Sequence, residues 1–388
     1  MALGLYISVP FCRTKCTYCN FASDVFSKAV FQRYIDRVSE DVEKAASTAE
    51  QMGGNLVRTV DSIYLGGGTP TVLEIKQLEQ LFVTVSQNFM VEPGAEITVE
   101  CAPGTLSQSM IEGLVRCGVN RVSLGVQSFV DQEAAAVGRL HKREVVSSEI
   151  AALREAGIEN IGIDLIAGLP HQSEESWKFS LQETIRSGVP HVSVYMLEID
   201  QDSRLGRELI AGGTRYHAHF VPDEDLTADL YVLACDAFDS AGIRQYEISN
   251  FAREGMQSRH NLKYWTRQPY FGFGVDAHSM LPAEEGAVRF STPDSLEDYV
   301  AGKPLQQTIV DRVGALEEAF FLGLRLNRGV DLDQLAAEFG NDAVSTQSFF
   351  LSELCDLELI EKQGSVVRLT PRGRLLSNEV FERFLARV

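Results

Sequence analysis

The chain of 388 residues carries 35 Lys and Arg against 54 Asp and Glu, a net charge of −19. That balance argues against nucleic acid as a partner, because phosphate binding needs a basic footprint, and it disfavours an anionic membrane surface. With 45% hydrophobic and 23% charged residues, no apolar run of membrane-spanning length and no charged-then-apolar leader before the first strand, the composition is that of a soluble globular protein and not an integral membrane one.

In chain order, Leu5–Val9 reads as a first strand, followed by a helix with Val30, Phe31, Tyr34, Ile35, Val38 and Val42 on one face. Ser62–Leu65 is a second strand, and a helix is predicted near 74–88. Glu96–Glu100, Val122–Val126, Ile161–Ile166 and Val192–Met196 complete a set of six strands. Strands alternating with amphipathic helices predict an α/β fold with a parallel sheet curled into a partial (β/α)6 TIM-like barrel. Such barrels build their sites at the C-terminal ends of the strands.

The middle is less regular: Gly212-Gly213, a helix near 223–241, then Tyr246–Ser249 and an aromatic-rich loop. From about 306 the character changes. Helices near 314–326, 332–339 and 343–356 precede Leu359–Lys362 and Val366–Leu369, which pair as a hairpin in a small winged-helix-like domain. With so acidic a chain, a structural or docking role is expected of it rather than DNA binding. The predicted division is therefore 1–205 for the barrel, 206–305 for a barrel extension and 306–388 for the C-terminal domain.

Three of the seven cysteines, Cys12, Cys16 and Cys19, fall within eight residues. Three thiolates are one short of a closed tetrahedral site but suit a cubane iron–sulfur cluster with one open iron. A zinc site completed by a distant Cys or His is the alternative. Cys101, Cys117, Cys235 and Cys355 sit among apolar neighbours and read as buried bystanders, and an odd number of cysteines fits a reducing cytoplasm better than a disulfide framework.

Gly66-Gly67-Gly68-Thr69-Pro70-Thr71 directly follows the second strand, where consecutive glycines let the backbone approach a ligand closely. Glu100, Gln127, Arg139 and Asp164 stand on later strand ends or just beyond. Singly, each is as well explained by a buried ion pair or a helix cap.

The spacing C-x3-C-x2-C resembles that of the radical S-adenosylmethionine superfamily, and the resemblance spans essentially the whole chain. It implies a [4Fe–4S] cluster on Cys12, Cys16 and Cys19, with S-adenosylmethionine on its open iron. It further implies that Gly67, Gly68 and Thr69 hold the methionine amino group, and that Glu100, Gln127 and Asp164 lie near the amino acid and ribose ends. Arg139 would then pair with the carboxylate in a two-pronged fork, and Tyr6 and Tyr18 would flank the adenine. No catalytic residue is assigned.

Within the superfamily the chain is similar to the oxygen-independent coproporphyrinogen III oxidase-like family, which holds both oxidases and heme chaperones. The oxidases carry a fourth cysteine where this chain has Phe21, and a long extension where this chain has eleven residues before Cys12. The chaperone branch carries His-Asn-x-x-Tyr-Trp, present as His260–Trp265. The resemblance thus implies a chaperone that binds heme and delivers it to acceptor proteins such as respiratory enzymes, with porphyrinogen decarboxylation as the alternative. Histidine is a common axial ligand of heme iron. His260 is the expected ligand, with His278 as the alternative and His217 and His219 after it.

Overall fold

The computed structural model describes residues 1–385. The last three residues of the predicted 306–388 unit lie outside the described residues. Strands β1 (Leu3–Val9), β2 (Thr59–Gly67), β3 (Met90–Cys101), β4 (Arg121–Gln127), β5 (Asn160–Ala167) and β6 (His191–Met196) run parallel and pair in sequence order. Six further strands follow: β7 (Arg244–Gln245), β8 (Asn250–Ala252), β9 (Tyr270–Phe273), β10 (His278–Pro282), β11 (Ala287–Ser291) and β12 (Gln306–Val310). Together they form one sheet ordered β12-β11-β10-β9-β1-β2-β3-β4-β5-β6-β8-β7.

The parallel core follows the predicted strands, each a residue or more longer than its apolar run. The middle segment, expected as a barrel extension, supplies β7 to β11 on the two flanks of the sheet. β9 joins β1 in parallel, with Leu5 opposite Phe271, and β10–β12 continue as an antiparallel meander. On the far side β8 pairs antiparallel with β6. Tyr246–Ser249 is the turn between β7 and β8, closed by the Glu247 carboxylate, which accepts from Ser249 N (3.2 Å) and from the Asn250 amide.

Helices cover the sheet. Phe31–Glu43 turns Phe31, Tyr34, Ile35, Val38 and Val42 into the core. Ser107, Ser173, Ser203 and Asp223 cap the N-termini of their helices by accepting from backbone N–H groups three residues on. The main core runs through β1–β6 and their covering helices.

A second apolar cluster, centred on Phe320, Leu354, Val367 and Phe384, belongs to the C-terminal helices and a three-stranded sheet of Val330–Asp331, Ile360–Gln363 and Val366–Leu369. The predicted helix over 343–356 is two, Asn341–Ser345 and Ser348–Asp356. Ser345 and Thr346 donate their hydroxyls to Asp342 O and Ala343 O, a local alternative to continuing the helix. Ile248 of the β7–β8 turn packs into this cluster, and the Arg325 guanidinium lies 4.3 Å from the Trp265 ring, so the two cores meet at that edge. No described helix is long and apolar enough to cross a membrane, and all seven cysteines are free thiols.

Candidate cofactor and heme site

The loop after β1 carries the three cysteines. It is folded back on the strand ends: Cys12 N donates to Asp24 O (3.0 Å), Asp24 N to Pro10 O (2.9 Å) and Cys19 N to Cys16 O (3.3 Å). Each thiol has a different neighbour. Thr69 Oγ1 donates to Cys12 Sγ at 3.9 Å, Arg139 Nη1 to Cys16 Sγ at 3.5 Å, and Ser23 Oγ lies 3.9 Å from Cys19 Sγ. Among the described residues no three His, Cys, Asp or Glu side chains converge on one point as a single ion would need. A cubane cluster holds each cysteine on its own iron and makes no such demand. Three thiols fringed by two hydroxyls and a guanidinium suit a sulfur-rich group of net negative charge.

The glycine run lies directly against this loop. Gly68 N donates to Val9 O (2.9 Å) and Thr69 N to Phe11 O (2.8 Å). A Cβ at Gly68 would stand 2.7 Å from both carbonyl oxygens, so only glycine lets β2 end here. Gly67 has φ +96° and gives its N–H to Glu100 Oε2 at 3.2 Å, while Tyr64 donates its hydroxyl to Glu100 Oε1 at 2.8 Å. Burial pushes the Glu100 carboxyl up to about 7, offset in part by those two donors. A cationic ammonium beside it would hold it ionised, so the pair of Gly67 and Glu100 fits the amino end of S-adenosylmethionine.

The other strand-end residues complete the barrel interior. Asp164 accepts from Ser123 Oγ at 3.1 Å on both oxygens, and burial raises its pKa. Gln127 closes β4 in a left-handed conformation (φ +70°), with its buried Oε1 unpartnered. The buried Arg139 Nε is unpartnered too. Two orphaned polar atoms, one at the end of β4 and one in the loop after the helix Asp131–Ala136, are what a cradle for a polar cofactor leaves behind. Arg139 differs from expectation in one respect: its guanidinium is turned to Cys16 Sγ and to Gly125 O rather than presented as an open fork.

The two tyrosines also separate. Tyr6 lines the cavity with Gly67 and Glu100, whereas Tyr18 packs with Val137, Ile166 and Leu169 beside Cys16 and Arg139. Two cavities open here. One, of about 320 Å³, is lined by Tyr6, Ser8, Gly67 and Glu100 together with Phe21, Tyr264, Tyr270, Val275, Asp276 and His278. The second, of about 480 Å³, runs under Arg13, Thr14, Thr69, Arg139 and Leu140.

His260 does not face either cavity. It is 1% exposed, its Nδ1 lies 3.1 Å from Ser62 Oγ and its Nε2 2.9 Å from Tyr264 OH, and burial drives its pKa down to about 3. Both ring nitrogens are thus occupied inside the protein, which corrects the expectation of an open heme ligand. The helix Arg259–Trp265 is locked further by Glu96, which accepts from the backbone N–H groups of Arg259 (3.0 Å) and His260 (3.1 Å). Lys263 is sealed with it, paired to Asp61 at 2.7 Å. His217 is bonded to His171, with Nδ1 and Nε2 3.1 Å apart, and the exposed His219 ring is tilted against Phe220. Tyr64, Ser62 and Glu96 went unnoticed as site residues, because each lies on the strand inside an ordinary β pattern.

Comparison with known proteins follows the same lines. Residues 6–183 match the Radical SAM superfamily and residues 311–376 the HemN C-terminal domain. The chain is 34% identical to the heme chaperone HemW of Bacillus subtilis over 98% of both chains. It is 32% identical to that of Lactococcus lactis over 98% of this chain and 96% of the relative, and 29% identical to that of Escherichia coli over 99% and 98%. Coproporphyrinogen III oxidase (HemN) from Escherichia coli, a radical SAM enzyme, superposes with a TM-score of 0.85 over 100% of this chain and 91% of its own, at 22% identity, and so shares the fold.

Proposed function

The chain belongs to the heme chaperone HemW family of the radical SAM superfamily, and from that premise we propose that it binds heme beside a [4Fe–4S] cluster and S-adenosylmethionine and delivers it to heme-requiring acceptor proteins. The observation that carries this reading is the shared cavity. Tyr6, Gly67 and Glu100, the residues suited to S-adenosylmethionine, line it together with Phe21, Tyr264, Tyr270 and His278. Apolar walls with few polar groups are what a porphyrin face needs.

In this reading Cys12, Cys16 and Cys19 hold the cluster. Gly67, Gly68, Thr69, Glu100, Gln127, Arg139 and Asp164 hold S-adenosylmethionine, with Tyr6 against it and Tyr18 bracing the loop. The cluster and S-adenosylmethionine supply one-electron chemistry when bound. The chain's own part is to position them and to exclude water. Respiratory enzymes are the acceptors proposed, the cytoplasm the compartment, and 1–205, 206–305 and 306–388 the working division of the chain, with the last unit as the docking element. Phe21, in place of a fourth cysteine, weighs against porphyrinogen decarboxylation.

The test is an anaerobic heme titration of cluster-reconstituted protein, with a coproporphyrinogen decarboxylation assay on the same sample. Saturable one-to-one heme uptake without decarboxylation is expected. Decarboxylation, or no heme uptake, sinks the chaperone reading.

A further inference from the structure

Of the seven histidines, His278 alone lines the cavity that carries the heme reading. We propose that His278 is the axial ligand of heme iron and that Phe21 is the side chain laid against the porphyrin, with the macrocycle entering this cavity edge-on. The inference rests on the heme-binding reading above and adds the ligand and the stacking residue to it.

The other six histidines do not line this cavity. His191 and His260 are buried, bonded through one or both ring nitrogens to Tyr246 or to Ser62 and Tyr264. His171 and His217 bond to each other, His219 is exposed with its ring tilted against Phe220, and His141, whose buried Nε2 is unpartnered, lines the second cavity with Arg139 rather than this one. The His278 side chain is 67% exposed, with Asp276 Oδ1 3.7 Å from its Nε2. That separation is beyond hydrogen-bond reach, so the carboxylate is an electrostatic neighbour that leaves Nε2 open to an incoming metal.

The turn that carries His278 is rigidly built. Tyr34 donates its hydroxyl to Ser8 O at 2.6 Å and accepts from Val275 N at 3.1 Å. Asp276 N donates to Pro293 O (2.9 Å) and Ala277 N to Thr292 Oγ1 (2.8 Å). Gly272 is pressed on the His278 backbone so closely that a Cβ would lie 2.3 Å from His278 O. The imidazole is therefore a free side chain on a fixed base, which is what a ligand to an incoming metal requires.

Phe21 is 64% exposed at the same cavity, next to Ala22, on the loop that the cysteines organise. A ring this open at the rim of the cavity is free to lie against a flat apolar face. The cavity of about 320 Å³ stands at the small end of ligand sites, ~300–1,000 Å³. It takes an edge of the porphyrin and leaves the remainder outside, as cargo to be passed on requires.

The experiment is an anaerobic heme titration of full-length, cluster-reconstituted protein followed by absorption, for wild type, His278→Ala, Phe21→Ala and His219→Ala, with the iron–sulfur absorption as the check on folding. His278→Ala is expected to shift the Soret band and weaken binding about 10-fold or more, with added imidazole restoring the wild-type spectrum. Phe21→Ala is expected to weaken binding roughly 3- to 10-fold with the ligation spectrum unchanged. His219→Ala should match wild type. A His278→Ala protein that keeps both spectrum and affinity overturns the ligand assignment while heme binding itself stands. Wild-type protein that takes up no heme overturns the reading beneath it.

Discussion

The helix Arg259–Trp265 and the turn Val275–His278 border the same cavity and treat a histidine in opposite ways. In the helix, His260 is sealed between Ser62 and Tyr264, with Lys263 paired to Asp61 one turn on and Glu96 closing the first turn. In the turn, the backbone is fixed by Tyr34 and Thr292 while the imidazole stands free. One wall is a closed polar lock and the other an open ligand-bearing surface. A conspicuous run of residues can thus be conspicuous for architecture, and the working side chain can lie in plainer sequence beside it.

The contrast predicts that substitutions on the open side weaken heme binding and leave the fold, whereas those in the lock cost stability and leave the spectra. The largest effect belongs to the cysteine loop. Serine at Cys12, Cys16 or Cys19 is expected to abolish the iron–sulfur absorption, with Cys235→Ser unchanged; bleaching by Cys235→Ser would break the three-ligand account.

Within the lock, Lys263→Met leaves the Asp61 carboxylate without its buried partner and is expected to cost about 3 kcal/mol in urea unfolding of the apoprotein. A loss under ~0.5 kcal/mol would mean the pair is solvated, and the lock is then no lock. His260→Ala strands Ser62 Oγ and Tyr264 OH and opens a cavity, for about 2 kcal/mol in the same assay. Its heme spectrum, per folded molecule, should match wild type. A lost axial signature there would return His260 to the ligand role.

The smallest effect is pH-dependent and lies at the junction of the two walls. Glu100 is raised from 4.5 to about 7, so the folded apoprotein binds a proton more tightly than the unfolded chain. That contribution to stability is complete below pH 4.5 and lost as pH rises through about 7. Glu100→Gln should therefore be more stable than wild type by about 1–2 kcal/mol at pH 8, the gap closing toward pH 5. A gap that widens on acidification would reverse the sign and with it the assignment of a desolvated carboxyl.

What could be read from the sequence divides along the same seam. The six parallel strands, the cysteine loop and the glycine run are local patterns, and each strand end brings its own polar residue to the barrel mouth. The aromatic wall was out of reach because it is made by a long-range pairing. Leu5 of β1 lies opposite Phe271 of β9, and nothing in the intervening residues announces that register. Tyr264, Tyr270 and His278 reach the cavity only through it. His260 misled for a related reason: its partners Ser62 and Glu96 come from β2 and β3, so its burial is invisible in its own helix. Arg139 was placed beyond the end of β4, where it lies, but not in its rotamer, which the Gly125 carbonyl of β4 and the Cys16 thiol decide.

The central claim is that heme is held at the barrel mouth between the cysteine loop and the β9–β10 turn. It is tested most directly by filling that mouth, with Ala22→Trp in the cavity wall and heme affinity measured anaerobically on protein whose iron–sulfur absorption is intact. The account predicts that heme uptake falls at least 10-fold while the cluster absorption stays as in wild type. Undiminished one-to-one heme binding by that variant would place the cargo elsewhere on the protein and contradict the account.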